Sequence, residues 1–214
     1  MNANRNYYQM QLEAHPLAPG EVEISDKDLG RFRETVRRGS GRRAFDDDCH
    51  YVGEFKGGEL HGKGSYTFND GSTYEGDFEN GWMHGKGVYK VPGGHTFTGD
   101  YKEGQREGTG VVQYANGIRF EGEMKASKMR GKGKFTFPNG DVYEGEFQDD
   151  LPHGDGVYHF QNGTVYKGGF SAGRMDGEGS FIFPGDAAYD HDEYLPPGLS
   201  IPEKLRIPEG TLDG

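Results

Sequence analysis

The chain has 214 residues, 38 of them glycine, with only 32% hydrophobic residues and 35 acidic against 24 basic side chains, for a net charge of −11. That balance argues against nucleic acid as a partner, because phosphate binding rests on clustered positive charge. Cys49 is the only cysteine, which excludes an intrachain disulfide and fits a reducing compartment.

Residues 1–24 read as irregular. "MNANRNYYQM" is too polar for a signal peptide, and "HPLAPG" reads as loop. Residues 25–50 combine a capping helix with half of a degenerate repeat. In "SDKDLGRFRETVRRG", Ser25 or Asp26 suits an N-cap, Gly39 a stop, and Leu29, Phe32 and Val36 share one helical face. In "GSGRRAF", Gly39, Gly41 and Phe45 fall in the register of the repeats that begin at residue 51.

From residue 51 to 188 the sequence repeats every 23 residues. One column reads Tyr51, Tyr74, Phe97, Phe120, Tyr143 and Tyr166. Two residues on it reads Gly53, Gly76, Gly99, Gly122, Gly145 and Gly168, and two further Phe55, Phe78, Tyr101, Met124, Phe147 and Phe170. Each unit then carries a Gly-x-Gly pair, from Gly62/Gly64 to Gly177/Gly179, without insertion or deletion. A fixed period of this length marks a repeat architecture. "YEGDF" and "GKGVYKV" alternate with period 2, so each unit is a β-hairpin, with "ENGWMH" as its turn and "NDG", "ANG", "PNG" or "QNG" joining units. The glycines leave room for rings that cover bare backbone.

The pattern Y-x-G-x-F-x-x-G-x-x-x-G-x-G-x-Y-x-F, seen in "YEGDFENGWMHGKGVYKV" and "YEGEFQDDLPHGDGVYHF", resembles the MORN repeat (membrane occupation and recognition nexus). Unit 4 departs from it at Met124 and Ser127, and unit 5 at Asp150. The fold expected is mainly β, an elongated single antiparallel twisted sheet of six hairpins and about twelve strands. Residues 189–214, with "YLPPGLSIPEKLRIPEG", read as an extended Pro-rich tail.

No catalytic, cofactor or metal site is expected. His61, His84 and His153 share a repeat position, but equivalent positions two strands apart lie about 10 Å from each other, too far for one zinc ion. Cys49 and His50 are adjacent and point to opposite faces of a strand. The acids Glu54, Asp77, Asp100, Glu123 and Glu146 and the lysines Lys63, Lys86 and Lys132 form columns that read as cross-strand ion pairs. The Gly-x-Gly pairs open strands rather than helices, so they are not phosphate loops.

The candidate partner-binding residues are the aromatic face: Tyr51, Phe55, Tyr66, Tyr74, Phe78, Trp82, Tyr89, Phe97, Tyr101, Tyr114, Phe120, Phe135, Tyr143, Phe147, Tyr158, Tyr166 and Phe170. Candidate anion-binding residues are Arg37, Arg38, Lys125, Lys128, Arg130, Lys132 and Lys134. The resemblance implies a non-enzymatic scaffold that docks protein partners, among them a helical segment or cytoskeletal and axonemal subunits, on that face and on the sheet ends. The expected setting is cytoplasmic, at the cytoskeleton or cilium. The alternative is a peripheral adaptor for anionic phosphoinositide lipid. Neither nucleic acid nor a small-molecule substrate is expected.

Overall fold

The computed structural model describes residues 39–45 and 49–184. The helix expected from residue 25, Arg37, Arg38 and the tail from residue 189 lie outside them. The fold is a single open antiparallel sheet of thirteen strands, in sheet order the same as in the sequence. They are β1 (Gly39–Ala44), β2 (His50–Lys56), β3 (Glu59–Thr67), β4 (Thr73–Glu79), β5 (Trp82–Lys90), β6 (Thr96–Lys102) and β7 (Gln105–Gln113). There follow β8 (Arg119–Lys125), β9 (Lys128–Thr136), β10 (Val142–Gln148), β11 (Leu151–His159), β12 (Val165–Ser171) and β13 (Arg174–Ile182). Twelve of these are the paired strands of the six repeats. The thirteenth is β1, whose Gly41 lies opposite Gly53. The chain divides into two compact units, one ending at Gln105 and one starting at Arg106.

The turn within each hairpin is shorter than the six residues "ENGWMH". Trp82, Met83 and His84 already belong to β5, and only Asn80 and Gly81 turn the chain. Both have positive φ, 50° and 83°. A two-residue turn with both central residues left-handed twists the way its flanking strands do. Glu103–Gly104, Ala126–Ser127, Asp149–Asp150 and Ala172–Gly173 repeat the geometry, four times with a non-glycine residue first. The loops between hairpins are three residues long. In Asn69–Asp70–Gly71, Phe68 N–H donates to Ser72 O at 2.8 Å and Gly71 N–H donates to Phe68 O at 3.0 Å.

The two glycines of each Gly-x-Gly pair serve different ends. The first, such as Gly85, sits at a bulge: Gly76 pairs with Gly87, then Asp77 pairs with His84, leaving Gly85 and Lys86 as the excess. Its φ of 56° is one that a side chain resists. The second, such as Gly87, lies under the Tyr74 ring, where an added Cβ would stand 2.5 Å from Cζ.

Those rings are the core. In the first unit Tyr74 packs edge-on against Phe78 at 5.1 Å and Tyr101 at 5.0 Å. In the second, Tyr143 meets Phe147 at 5.3 Å and Phe170 at 4.7 Å. Edge-to-face geometry at this spacing is the favourable one for aromatic pairs. Tyr51, Tyr74, Phe97, Phe120 and Tyr143 are wholly buried. With no second layer among the described residues, burial comes from rings lying flat over glycine backbone.

Candidate functional surface

Each tyrosine of the inner row is pinned at its hydroxyl. Tyr74 Oη shares its one proton between Asp77 O at 2.9 Å and His84 O at 3.2 Å, which closes the bulge. Tyr51 does the same with Glu54 O and His61 O, at 2.8 and 3.3 Å. Burial drives these phenols well above their usual titration range, with nearby charge adding to it, so they stay neutral donors.

Of the candidate partner-binding residues, fifteen belong to this packed layer: Tyr51, Phe55, Tyr66, Tyr74, Phe78, Phe97, Tyr101, Tyr114, Phe120, Phe135, Tyr143, Phe147, Tyr158, Tyr166 and Phe170 are all buried. Tyr89 and Trp82 are half-buried. Trp82 opens β5 and lies beside the next turn, where a Cβ on Gly104 would stand 3.1 Å from its ring.

A second aromatic row on the same face is less covered. In the first unit it runs Tyr66, Phe68, Tyr89, with centroids 4.6 and 5.5 Å apart. In the second it runs Phe135, Phe137, Tyr158, Phe160, spaced 5.8, 6.1 and 4.6 Å. Phe181 and Phe183 stack at 6.1 Å. Phe68, Phe137, Phe160, Phe181 and Phe183 are half-buried, so each presents ring area. Sequence reasoning misses these positions because it weighs the strand interior and not the strand ends. Their signal is present, as the aromatic that closes "GSYTF", "GKFTF" and "GVYHF".

Tyr158 differs from its neighbours in carrying a charged partner. Its Oη donates to Asp141 Oδ2 at 2.7 Å. The buried Asp141 carboxylate also accepts from Asn139 Nδ2 at 2.8 Å and Gln161 N–H at 2.8 Å, joining two successive loops. Burial, then the bond to Asp141, raises the Tyr158 phenol.

On the opposite face Glu54, Asp77 and Glu123 of the acidic column each accept a bulge amide. Asp77 accepts from the bulge amide of Lys86 at 3.1 Å and pairs with Lys63 Nζ of the preceding hairpin at 2.6 Å. Burial pushes its carboxyl up, but these bonds outweigh it and hold the carboxyl below the usual range. Lys86 pairs with Asp100 at 2.6 Å in the same way. The pattern lapses in the second unit, where Thr109 stands in the lysine column. A shallow depression of about 530 Å3 opens there, lined by Glu107, Thr109, Glu123, Lys125 and Arg130 among others.

Of the basic cluster Lys125 and Arg130 line this depression, and several of its members already engage acids. Arg130 Nη2 lies 2.9 Å and Lys128 Nζ 4.0 Å from Asp149 Oδ1, and Lys134 Nζ 2.6 Å from Glu144 Oε1. The Lys132 amide donates to Glu123 at 3.2 Å. The Lys134 hydrogen bond holds Glu144 below its usual range, and that of Arg130 does so for Asp149. The three repeat-position histidines face acids across the strand pair, His61 opposite Glu54, His84 opposite Asp77 and His153 opposite Glu146. No group of three metal-binding side chains comes together among the described residues.

A family model described as "MORN repeat" matches residues 51–73, 74–96, 97–119, 120–142, 143–165 and 166–186. The chain belongs to the MORN-repeat family. The matched MORN units begin on the aromatic residue that lies over each glycine pair, so one unit is one hairpin plus the loop after it. No curated protein matches the chain. Among solved structures, the SAS-4 (dCPAP) TCP domain of Drosophila melanogaster, in complex with a proline-rich motif of Ana2, has a TM-score of 0.48 at 13% identity. That alignment covers 86% of this chain and 97% of the domain. The TCP10 domain of Danio rerio CPAP, in complex with a STIL peptide, has a TM-score of 0.27 at 14% identity, over 68% and 80%. TM-scores below 0.5 say nothing further about this MORN sheet.

Proposed function

We propose that this MORN sheet is a non-enzymatic scaffold that docks protein partners on its aromatic face and at its ends. The observation that carries this reading is the second aromatic row. Phe68 and Tyr89 in one unit, and Phe137, Phe160, Phe181 and Phe183 in the other, present half-covered rings beside a layer already packed against its own backbone. Contiguous apolar area held on a rigid support is the usual mark of a protein contact. The candidate residues beneath, from Tyr51 to Phe170, set the shape of that surface, and Tyr89 also meets the partner directly, whereas Trp82, opposite Glu79, lies on the other face. An amphipathic helix lying along the row suits it, since its apolar stripe would cover successive rings. The setting we propose is a cytoskeletal or ciliary assembly in the cytoplasm, on family grounds.

The test is site-specific photo-crosslinking in cells. A photoreactive residue at Phe68 or Phe160 is expected to capture the same neighbours from the detergent-resistant fraction. The same residue at Lys56 or Lys167, on the opposite face, is expected not to. Equal capture from both faces would sink the reading. The lipid alternative places anionic headgroups at Lys125, Lys128, Arg130, Lys132 and Lys134, with Arg37 and Arg38. It ranks second because Lys128, Arg130 and Lys134 already have carboxylate partners. Flotation with phosphoinositide vesicles, abolished by Lys128→Glu, Arg130→Glu and Lys132→Glu together, would reverse the ranking.

A further inference from the structure

The last strand, β13, closes the sheet order, and its outer edge has no partner strand among the described residues. Three features bear on what this edge could pair with. Glu178 occupies the column held by Lys63, Lys86 and Lys132, as the acid Asp155 does in β11. Gly169 occupies the acidic column of β12, so a Cβ on the bulge glycine Gly177 would meet nothing within 4 Å. At Gly85 and Gly154 it would meet the carboxylates of Asp77 and Glu146. Phe181, like Tyr89 of β5, is half-buried where Tyr66, Phe135 and Tyr158 are buried. An open strand edge is a template for another strand, and this one carries its own specification.

We infer that the outer edge of β13 takes a β-strand from a protein partner, with the pattern aromatic-x-small-basic-aromatic. The register comes from β11 and β12, where Tyr158 pairs with Tyr166, Gly156 with Gly168, Asp155 with Gly169 and Gly154 with Phe170. Carried on by one hairpin, Phe181 takes an aromatic residue and Gly179 a small one. The small residue lets the aromatic lie back over it, as Tyr166 lies over Gly168. The bulge glycine Gly177 takes the second aromatic. The residue between faces Glu178. At Lys63 and Lys86 the residue of this column meets an acid of the next strand at 2.6 Å, while Asp155 faces Gly169. Opposite charges are the favourable cross-strand neighbours, so against the exposed Glu178 the incoming strand supplies lysine or arginine.

The other occupants fit worse. The chain's own next segment in register, "YDHDE", would set Asp192 against Glu178 and His191 against Gly179. A second copy pairing β13 with β13 about Gly177 or Glu178 brings carboxylates against each other, Asp176 on Glu178 or Glu178 on itself. This inference rests on the ends of the sheet as docking sites, not on the aromatic face. Failure here leaves the face crosslinks as they were.

The experiment uses the full chain, isotope-labelled, with two synthetic heptapeptides patterned on the β12 sequence: VYKGKFS, with lysine in the column facing Glu178, and VYKGEFS, with glutamate. Amide NMR shifts on titration are expected to concentrate in residues 174–182, with the lysine peptide bound about three- to tenfold more tightly. Glu178→Lys, at an exposed position, is expected to keep the rest of the spectrum and to reverse the order of the two peptides. No shift in β13, or binding indifferent to the charge swap, overturns the inference. So does protection from exchange, without peptide, of those β13 amides that point away from β12. Protection independent of protein concentration would assign the edge to the chain's own following segment. Protection that rises with concentration would assign it to a second copy.

Discussion

Gly87→Ala isolates what the aromatic layer demands of its glycines. Gly87 has ordinary backbone dihedrals, so an alanine there suffers no left-handed strain. The new methyl would stand 2.5 Å from Tyr74 Cζ. That is more than 1 Å inside the 3.5–4.0 Å at which carbon atoms rest. The ring cannot tilt away freely, being wholly buried and bonded through Oη to Asp77 O and His84 O. Overpacking a rigid site costs roughly 1–3 kcal/mol, and losing the hydroxyl bonds adds about 1 kcal/mol. Relief from glycine's chain entropy in a strand returns about 0.5–1 kcal/mol. The net is a loss of about 1–3.5 kcal/mol, centred near 2. Gly57→Ala is the control, since its Cβ meets nothing within 4 Å and it has a φ of 60°. It is expected to cost about 1 kcal/mol from left-handed strain alone. Repeat arrays unfold by parts, so native-state hydrogen exchange at the β4 and β5 amides is the assay, with urea midpoints beside it. Equal costs for the two variants would refute the reasoning. So would an undiminished cost of Gly87→Ala when Tyr74 is also replaced by Ala, because the cost is assigned to that ring.

Three further outcomes rest on the same geometry. Ala126→Gly is expected to raise stability by about 0.5–1 kcal/mol, since an L-residue at a φ of 50° is replaced where the Ala126–Ser127 turn has no glycine; thermal melts of the full chain check it. Asp150 is held above the usual carboxyl range by burial, against the hydrogen bond from the Met129 amide. Its protonated form therefore favours the fold below the unfolded-state value, and that contribution is lost as pH rises through the folded one. Asp150→Asn should accordingly be more stabilising at pH 7 than at pH 3, and an unchanged difference between the two pH values would count against a desolvated carboxylate. Asp77 behaves oppositely: its depressed range stabilises the fold above the unfolded carboxyl value and is lost on acidification. Lys63→Ala should trim that acid dependence by no more than about 0.5 kcal/mol, because the pair is largely solvated, as urea unfolding at pH 7 and pH 3 would show.

The hairpins, their period and their shared face can be read from the aromatic and glycine columns, because spacing is what those columns encode. Spacing does not separate Gly85 from Gly87. One answers to backbone dihedral, the other to a ring lying above it, and both appear only as glycine two apart. The turn reads too wide for a related reason. Glu103, Ala126, Asp149 and Ala172 take positive φ although their side chains disfavour it, so residue type gives no sign of where the strands stop. The acidic column is legible as cross-strand pairs, while its second role, accepting the bulge amide, depends on a bulge that alternation hides. How deeply the rings are covered is also invisible. A ring standing on a sheet and a ring lying down on glycine have the same sequence.

One set of hydrogen bonds gives the array a direction. The second turn residue of a hairpin donates its amide to the hairpin before it: Gly81 to Leu60 O, Gly104 to Met83 O, Ser127 to Arg106 O, Asp150 to Met129 O and Gly173 to Pro152 O. Within this set of bonds, removing the last hairpin frees only a carbonyl, whereas removing an earlier one strips the acceptor from its successor. A chain leaving the ribosome amino-terminus first therefore meets each acceptor already in place. The array can grow by accretion, one hairpin at a time.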